Sequence, residues 1–399
     1  MSSSHVARLH APRVWGGRIV LLDALRGTCF VLMTVDHFPS SPLHRFSNPY
    51  FGPFGFFTAT VGFVFLSGLV AGRVYERERI VAGRRSMVRR VAHRARALYA
   101  TQMLVFLGLV AAIELHLRGS GRWDMSLLTS DPWEGIAYGA TLLYEPWYLG
   151  ILPIYILFLV LTPIVLLQFD KGNVRRVLAL SALLWVVSGL LIHLPSNPSG
   201  VDFGPYNPLA YQFVFISGLT FGTRLLSIER LSHVMRQRLV AAAAVVTALC
   251  LILRLQYAFG GPLNDLVDKI APAFSAYELG PLRLLNFAAF GVVFYWASQR
   301  FGGDRVRSRS YSWLAFIGRH SLPVFAWSIL GTYVAIALLP RHLSVGLGFL
   351  AVILLAASLT IPAQLHAVIR HQRASFAPAR ERVDELATTP VTASGDAVG

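Results

Sequence analysis

The chain has 399 residues, of which 55% are hydrophobic and only 14% charged, with a mean hydropathy of +0.55. That composition excludes an ordinary soluble domain and selects a polytopic membrane protein. The net charge of +16 does not indicate a nucleic-acid partner, because Lys and Arg gather in alternate loops between apolar stretches, the pattern that membrane topology imposes.

Apolar stretches near the length of about 20 residues that crosses hydrocarbon lie at 19–38, 56–75, 96–115, 148–168, 177–194, 208–226, 239–256, 281–299, 316–338 and 343–367. They predict an all-α fold of about ten transmembrane helices. The stretch 133–144 is shorter, contains Glu134, and reads as an interfacial segment leading to Trp147. Counted against these spans, 28 of the 36 Lys and Arg fall on one side, including the nine arginines of 73–96. The positive-inside rule therefore predicts that both termini are cytoplasmic, with a membrane domain at 19–370.

Residues 1–18 form a polar cytoplasmic segment without a small-residue cleavage site, so the first span is expected to be an uncleaved helix rather than a signal peptide. Residues 371–399 lack periodicity and are expected to be a disordered cytoplasmic tail. The basic run GRVYERERIVAGRRSMVRRVAHRARAL is read as a topology determinant ahead of an anionic-lipid patch, and no chemistry is assigned to it. Cys29 and Cys250 fall inside spans and pack as small hydrophobes; the sequence offers no disulfide or metal motif.

Two outside-to-inside spans echo each other: FVFLSGLVAGR at 63–73 and FVFISGLTFGT at 213–223 share seven of eleven positions. A distant duplication and simple recurrence of membrane residues both account for this. Gly68 with Gly72 and Gly218 with Gly222 form small-xxx-small faces that permit close helix approach, a scaffold role.

The first span, LDALRGTCFVLMTVDHF at 22–38, carries four ionisable residues: Asp23, Arg26, Asp36 and His37. Charges near a bilayer centre cost about 2.5–3.5 kcal/mol on an insertion scale and usually face a protein interior or wet cavity. Eleven residues separate Arg26 from His37, so on a helix they return to within about 20° of one face, roughly 17 Å apart along the axis, with Asp23 near the same face. A cation at the inner end suits an anionic donor. An imidazole at the outer end suits proton abstraction from an acceptor hydroxyl. Asp36 projects about 100° away and is grouped with His37 as a capping or orienting residue. An Arg26–Asp23 salt bridge and a boundary histidine bonded to a loop carbonyl are the structural alternatives.

The spacing Arg-x10-His in a first span resembles the acyltransferase-3 superfamily, integral membrane enzymes that move acyl groups from cytoplasmic acyl-CoA onto extracytoplasmic carbohydrate or lipid. The closer resemblance is to its OpgC branch, succinyltransferases of periplasmic glucans. It rests on LDALRG with VDHFP at 22–39, GFVFLSGLVAGRVY at 62–75, PWYLGILPIYILFLVLTPI at 146–164, NPLAYQFVFISGLTFG at 207–222, GPLRLLNF at 280–287 and GRHSLPVF at 318–325. The resemblance implies succinyl-CoA or acetyl-CoA as donor, an extracytoplasmic glycan or glycolipid as acceptor, contact with membrane lipid, no metal, His37 as catalytic base, and Arg26 with Asp23 at the donor. One position departs from the pattern: Gly150 precedes ILPIY where an acidic residue is usual.

Further candidates follow from depth. Arg319 and His320 open the ninth span on the side where CoA phosphates would arrive, with a positive-inside anchor as the other reading of Arg319. Arg283 and Asn286, one turn apart near the level of His37, would suit an acyl carboxylate or an oxyanion; an ion pair of Arg283 with Glu278 competes. Glu145, Trp147 and Tyr148 would suit a sugar, against an aromatic-belt reading. A secondary transporter of an anionic solute fits the polar first helix and the 63/213 echo, although midplane helix breaks are not evident beyond Pro153 and Pro163. A haem-binding protein would need histidine pairs beyond His37 and His193.

Overall fold

A computed structural model describes residues 14–15, 18–38, 40–47, 51–115, 126–144, 148–190, 206–223, 232–305, 308–340 and 342–372. The polar N-terminal segment up to residue 13, the tail from 373, Glu145, Trp147 and His193 lie outside the described residues. The described residues are helical apart from loops and a two-residue antiparallel pair, β1 (Val14–Trp15) with β2 (Arg18–Ile19).

In chain order the helices are α1 (Val20–Asp36), α2 (Ala59–Glu114), α3 (Ser126–Ser130), α4 (Pro132–Ala140), α5 (Ile151–Asp170), α6 (Val174–Leu190) and α7 (Pro208–Gly222). There follow α8 (His233–Phe259), α9 (Asn264–Lys269), α10 (Pro281–Arg305), α11 (Arg309–Arg319), α12 (Ser321–Leu338) and α13 (Val345–Ser358). After Leu359 helix resumes, so that the apolar span closing the described chain is Val345–Gln372.

Local sequence explains most starts. Asn207, Ser232, Ser308 and Ser344 each cap the following helix by accepting a backbone N–H, and Asp131 and Asn207 precede a proline at the first helical position. Gly260 ends α8 in the left-handed conformation.

Five described helices are long and apolar enough to cross a membrane: α2, α5, α8, α12 and Val345–Gln372. The described residues of each of the ten predicted stretches are largely helical, and α2 holds two of the stretches, its 56 residues bent at Gly83 (φ 83°, ψ 171°). This backbone geometry is open essentially to glycine alone. α1, α6 and α7 have 17, 17 and 15 residues, short of the length that covers about 30 Å of hydrocarbon. α4, over the stretch 133–144, has nine residues. The stretch 316–338 divides at His320 (φ −101°, ψ 39°), which separates α11 from α12. Outward-facing Val160 and Ile164 on α5, Val245, Leu249 and Ile252 on α8, and Ile353 and Leu354 on α13 are exposed. Apolar surface on this scale belongs against lipid, and the protein is a membrane protein.

Glycines set the closest crossings. A Cβ at Gly68 or Gly72 would fall 2.1 or 2.3 Å from the carbonyl oxygens of Phe215 and Leu219 on α7; at Gly218 or Gly222 it would fall 2.2 Å from those of Phe65 and Leu69 on α2. The two echoing segments thus pack on each other reciprocally. A second crossing joins α1 to α11: a Cβ at Gly27 would lie 2.0 Å from Leu314 O, and one at Gly318 would lie 1.8 Å from Asp23 O. Gly218→Val is expected to push α2 and α7 apart at a cost of about 1–3 kcal/mol or more. Thermal unfolding in detergent checks this, and a wild-type midpoint would contradict the crossing.

Candidate functional site

The α1–α11 crossing brings Asp23 and Arg26 beside Arg319 and His320. Together they line a cavity of about 720 Å³, within the roughly 300–1,000 Å³ usual for small-molecule sites. Its other walls are Val70–Tyr75 before the bend of α2, residues 90–104 after it, Tyr155 on α5, α12 from Ser321 to Leu330, and His366 with Arg370 near the chain's last described turn. Among the described residues six arginines line it (Arg26, Arg73, Arg90, Arg94, Arg319 and Arg370), Arg90 being paired with Glu78, and Asp23 is the single acidic residue of the lining. Such clustering concentrates positive potential in a partly enclosed volume and recruits polyanions. Val70, Val74, Leu322, Pro323, Ala326, Trp327 and Leu330 give the same cavity an apolar wall.

Arg26 is 9% exposed. Its guanidinium lies 5.7 Å from the Phe63 ring centroid, and its Nε has no hydrogen-bond partner among the described residues. Phe30, Phe63 and Phe325 form a mutual ring cluster, with centroids 5.5–6.3 Å apart, behind it. A buried cationic nitrogen without a partner is costly, and an anionic ligand in the cavity would remove that cost. His320 and His366 stand Nδ1 to Nδ1 at 2.7 Å, a separation that requires one proton between the two nitrogens.

His37 occupies the opposite end of α1, one residue beyond its last helical turn, and does not line the cavity. Its ring meets that of Tyr148 in a tilted arrangement with centroids 4.5 Å apart, and Tyr148 meets Tyr333 edge-on at 5.5 Å. Tyr333 is on α12, three residues beyond Leu330, where that helix ceases to line the cavity. At 1.5 Å per residue this is about 4.5 Å along the axis, so Tyr333 lies within one helical turn of the cavity's α12 wall and joins it to the ring contacts of His37. Asp36 is turned away and accepts a hydrogen bond from Ser47, tying the following loop to the helix end.

The structure does not bring Arg283 and Asn286 to this assembly. Arg283, 1% exposed, donates to Phe274 O from Nε at 3.1 Å and from an η nitrogen at 2.8 Å. Asn286 Oδ1 accepts from Phe56 N at 2.8 Å. Both side chains hold loop backbone. Glu145 and Trp147 lie outside the described residues, and of that group Tyr148 alone is placed. Gly150, the departure from the expected pattern, is the N-cap of α5 without a side-chain bond.

Reasoning from sequence missed Arg73, Arg90, His93 and Arg94 in the basic run, and His366 with Arg370. Arg90 and Arg94, like His366 and Arg370, are one turn apart, which is the only sequence signal that they share a face.

No curated protein and no solved structure matches the chain. A family model described as OpgC protein matches residues 18–371 of the 399, so the chain belongs to the OpgC family.

Proposed function

We propose that the protein is a membrane O-acyltransferase that moves a succinyl or acetyl group from cytoplasmic acyl-CoA to a hydroxyl of an extracytoplasmic glycan or glycolipid. The observation that carries this reading is the arginine-lined cavity whose α12 wall ends within one helical turn of Tyr333, from which ring contacts run through Tyr148 to His37. Membership in the OpgC family supports the reaction class.

In this reading the chain crosses the inner membrane about ten times with both termini in the cytoplasm. The arginines bind the phosphates of the donor as charge-assisted, fork-shaped contacts. The apolar wall takes its aliphatic arm and presents the thioester toward His37. An acceptor hydroxyl attacks the thioester carbonyl carbon while His37 takes its proton. The C–O bond forms, the C–S bond breaks, and the proton returns to the departing thiolate, giving free CoA and an O-acyl product.

The test is mass spectrometry of cell-envelope glycans from cells with and without the gene. An acyl mass increment that disappears with the gene, and returns with a plasmid copy, is expected. Identical glycan spectra would refute an envelope acceptor.

A further inference from the structure

His37 lies just past the end of α1, where helical geometry no longer dictates the direction of its side chain. Its backbone N–H donates to Met33 O at 3.0 Å, which fixes the chain but not the ring. A catalytic histidine is commonly held by a carboxylate, yet the adjacent Asp36 is engaged by Ser47. What touches the imidazole is Tyr148: ring centroids 4.5 Å apart and planes inclined by 35°.

Tyr148 is itself held from two directions. On one side Tyr333, 2% exposed within α12, meets its ring at 5.5 Å and 64°. On the other the next residue, Leu149, is fully buried, and its carbonyl accepts from Gln102 Nε2 at 3.4 Å. The three rings therefore join the end of α1, the entry to α5 and the middle of α12. Aromatic pairs prefer tilted and edge-on arrangements of this kind.

We propose that Tyr148 is a positioning residue for His37: its ring, backed by Tyr333, sets the plane of the imidazole. This rests on the reading of His37 as the base, and it replaces the sugar-platform role that the sequence suggested for Tyr148. The ring rather than the hydroxyl carries the function, so phenylalanine substitutes and an aliphatic side chain does not.

Purified wild type, Tyr148→Phe, Tyr148→Leu and His37→Gln are compared in detergent. The donor is succinyl-CoA or acetyl-CoA, whichever the wild type uses, and the acceptor is glucan extracted from cells lacking the gene. Tyr148→Leu is expected to lower kcat roughly 10- to 100-fold, the scale of a misplaced catalytic group, with KM for donor and acceptor unchanged. Tyr148→Phe is expected to stay within a few-fold of wild type. A rise in acceptor KM with kcat retained would make Tyr148 a sugar platform and overturn the proposal, as would an unchanged kcat. If His37→Gln keeps transfer, the base reading fails instead; if His37→Gln is inactive while Tyr148→Leu is normal, the positioning role alone fails. Should Tyr148→Leu not fold, Tyr148→Met, closer in volume, is read by the same criteria.

Discussion

His37→Gln is expected to insert, purify and bind acyl-CoA as the wild type does, while acyl transfer falls by about 10²- to 10⁴-fold, the usual contribution of a positioned general base. Glutamine retains hydrogen-bonding capacity but cannot take up a proton near neutral pH, so it separates chemistry from placement. The fold has little reason to depend on this side chain. It follows the last turn of α1, is partly exposed, and its ring meets that of Tyr148 rather than a buried ion pair. Transfer within a few-fold of wild type would remove His37 from the mechanism. Loss of both acyl-CoA binding and insertion would assign it to folding.

The second large effect is expected at Arg26. Arg26→Ala should weaken acyl-CoA binding by about 10- to 100-fold, because a hydrogen bond to a charged group contributes about 1.5–3 kcal/mol. Arg26→Lys should fall between, keeping the charge while losing the planar fork. Arg94→Ala should act in the same direction, since Arg94 lines the same cavity from the second half of α2. Arg175→Ala is the control: that residue is exposed and lies outside the cavity lining. Calorimetry or equilibrium dialysis in detergent provides the affinities, and the wild-type affinity should itself fall with added salt. Equal affinities for wild type, Arg26→Ala and Arg94→Ala would place the donor elsewhere.

Much of the scaffold was legible because its signals are local. Apolar length marked the helices, and the paired glycines of 68/72 and 218/222 marked a close crossing without naming partners. The convergence of Asp23, Arg26, Arg319 and His320 was legible from depth alone, since residues at one level of a bundle have few places to go. The arginines from the basic run were not. A cation that orients the chain and a cation that faces a ligand are the same residue type in the same loops, and only tertiary packing tells Arg94 from Arg89. Arg283 and Asn286, polar residues within an apolar helix that suggested a ligand, lie outside the cavity lining. Their partners are the backbone groups of Phe274 and Phe56, and a loop's need for a side-chain partner leaves no mark in composition. The break at His320 was hidden as well: GRHSLPVF reads as one continuous entry, whereas the chain turns between α11 and α12 two residues after Gly318 meets α1.

The cavity draws on both ends of the chain, Asp23 and Arg26 near the start and His366 with Arg370 near the finish. During synthesis at about 5–20 residues per second, roughly 20 to 70 seconds separate the emergence of these two borders. Throughout that interval the newborn first helix holds the Arg26 charge without the last wall of the pocket that surrounds it. On the proposed function, donor capture therefore requires the chain through Arg370. A ribosome that stalls, or a message that is cut short, leaves an inserted fragment with most of the helices but with one side of the pocket missing, and such a fragment should not sequester donor.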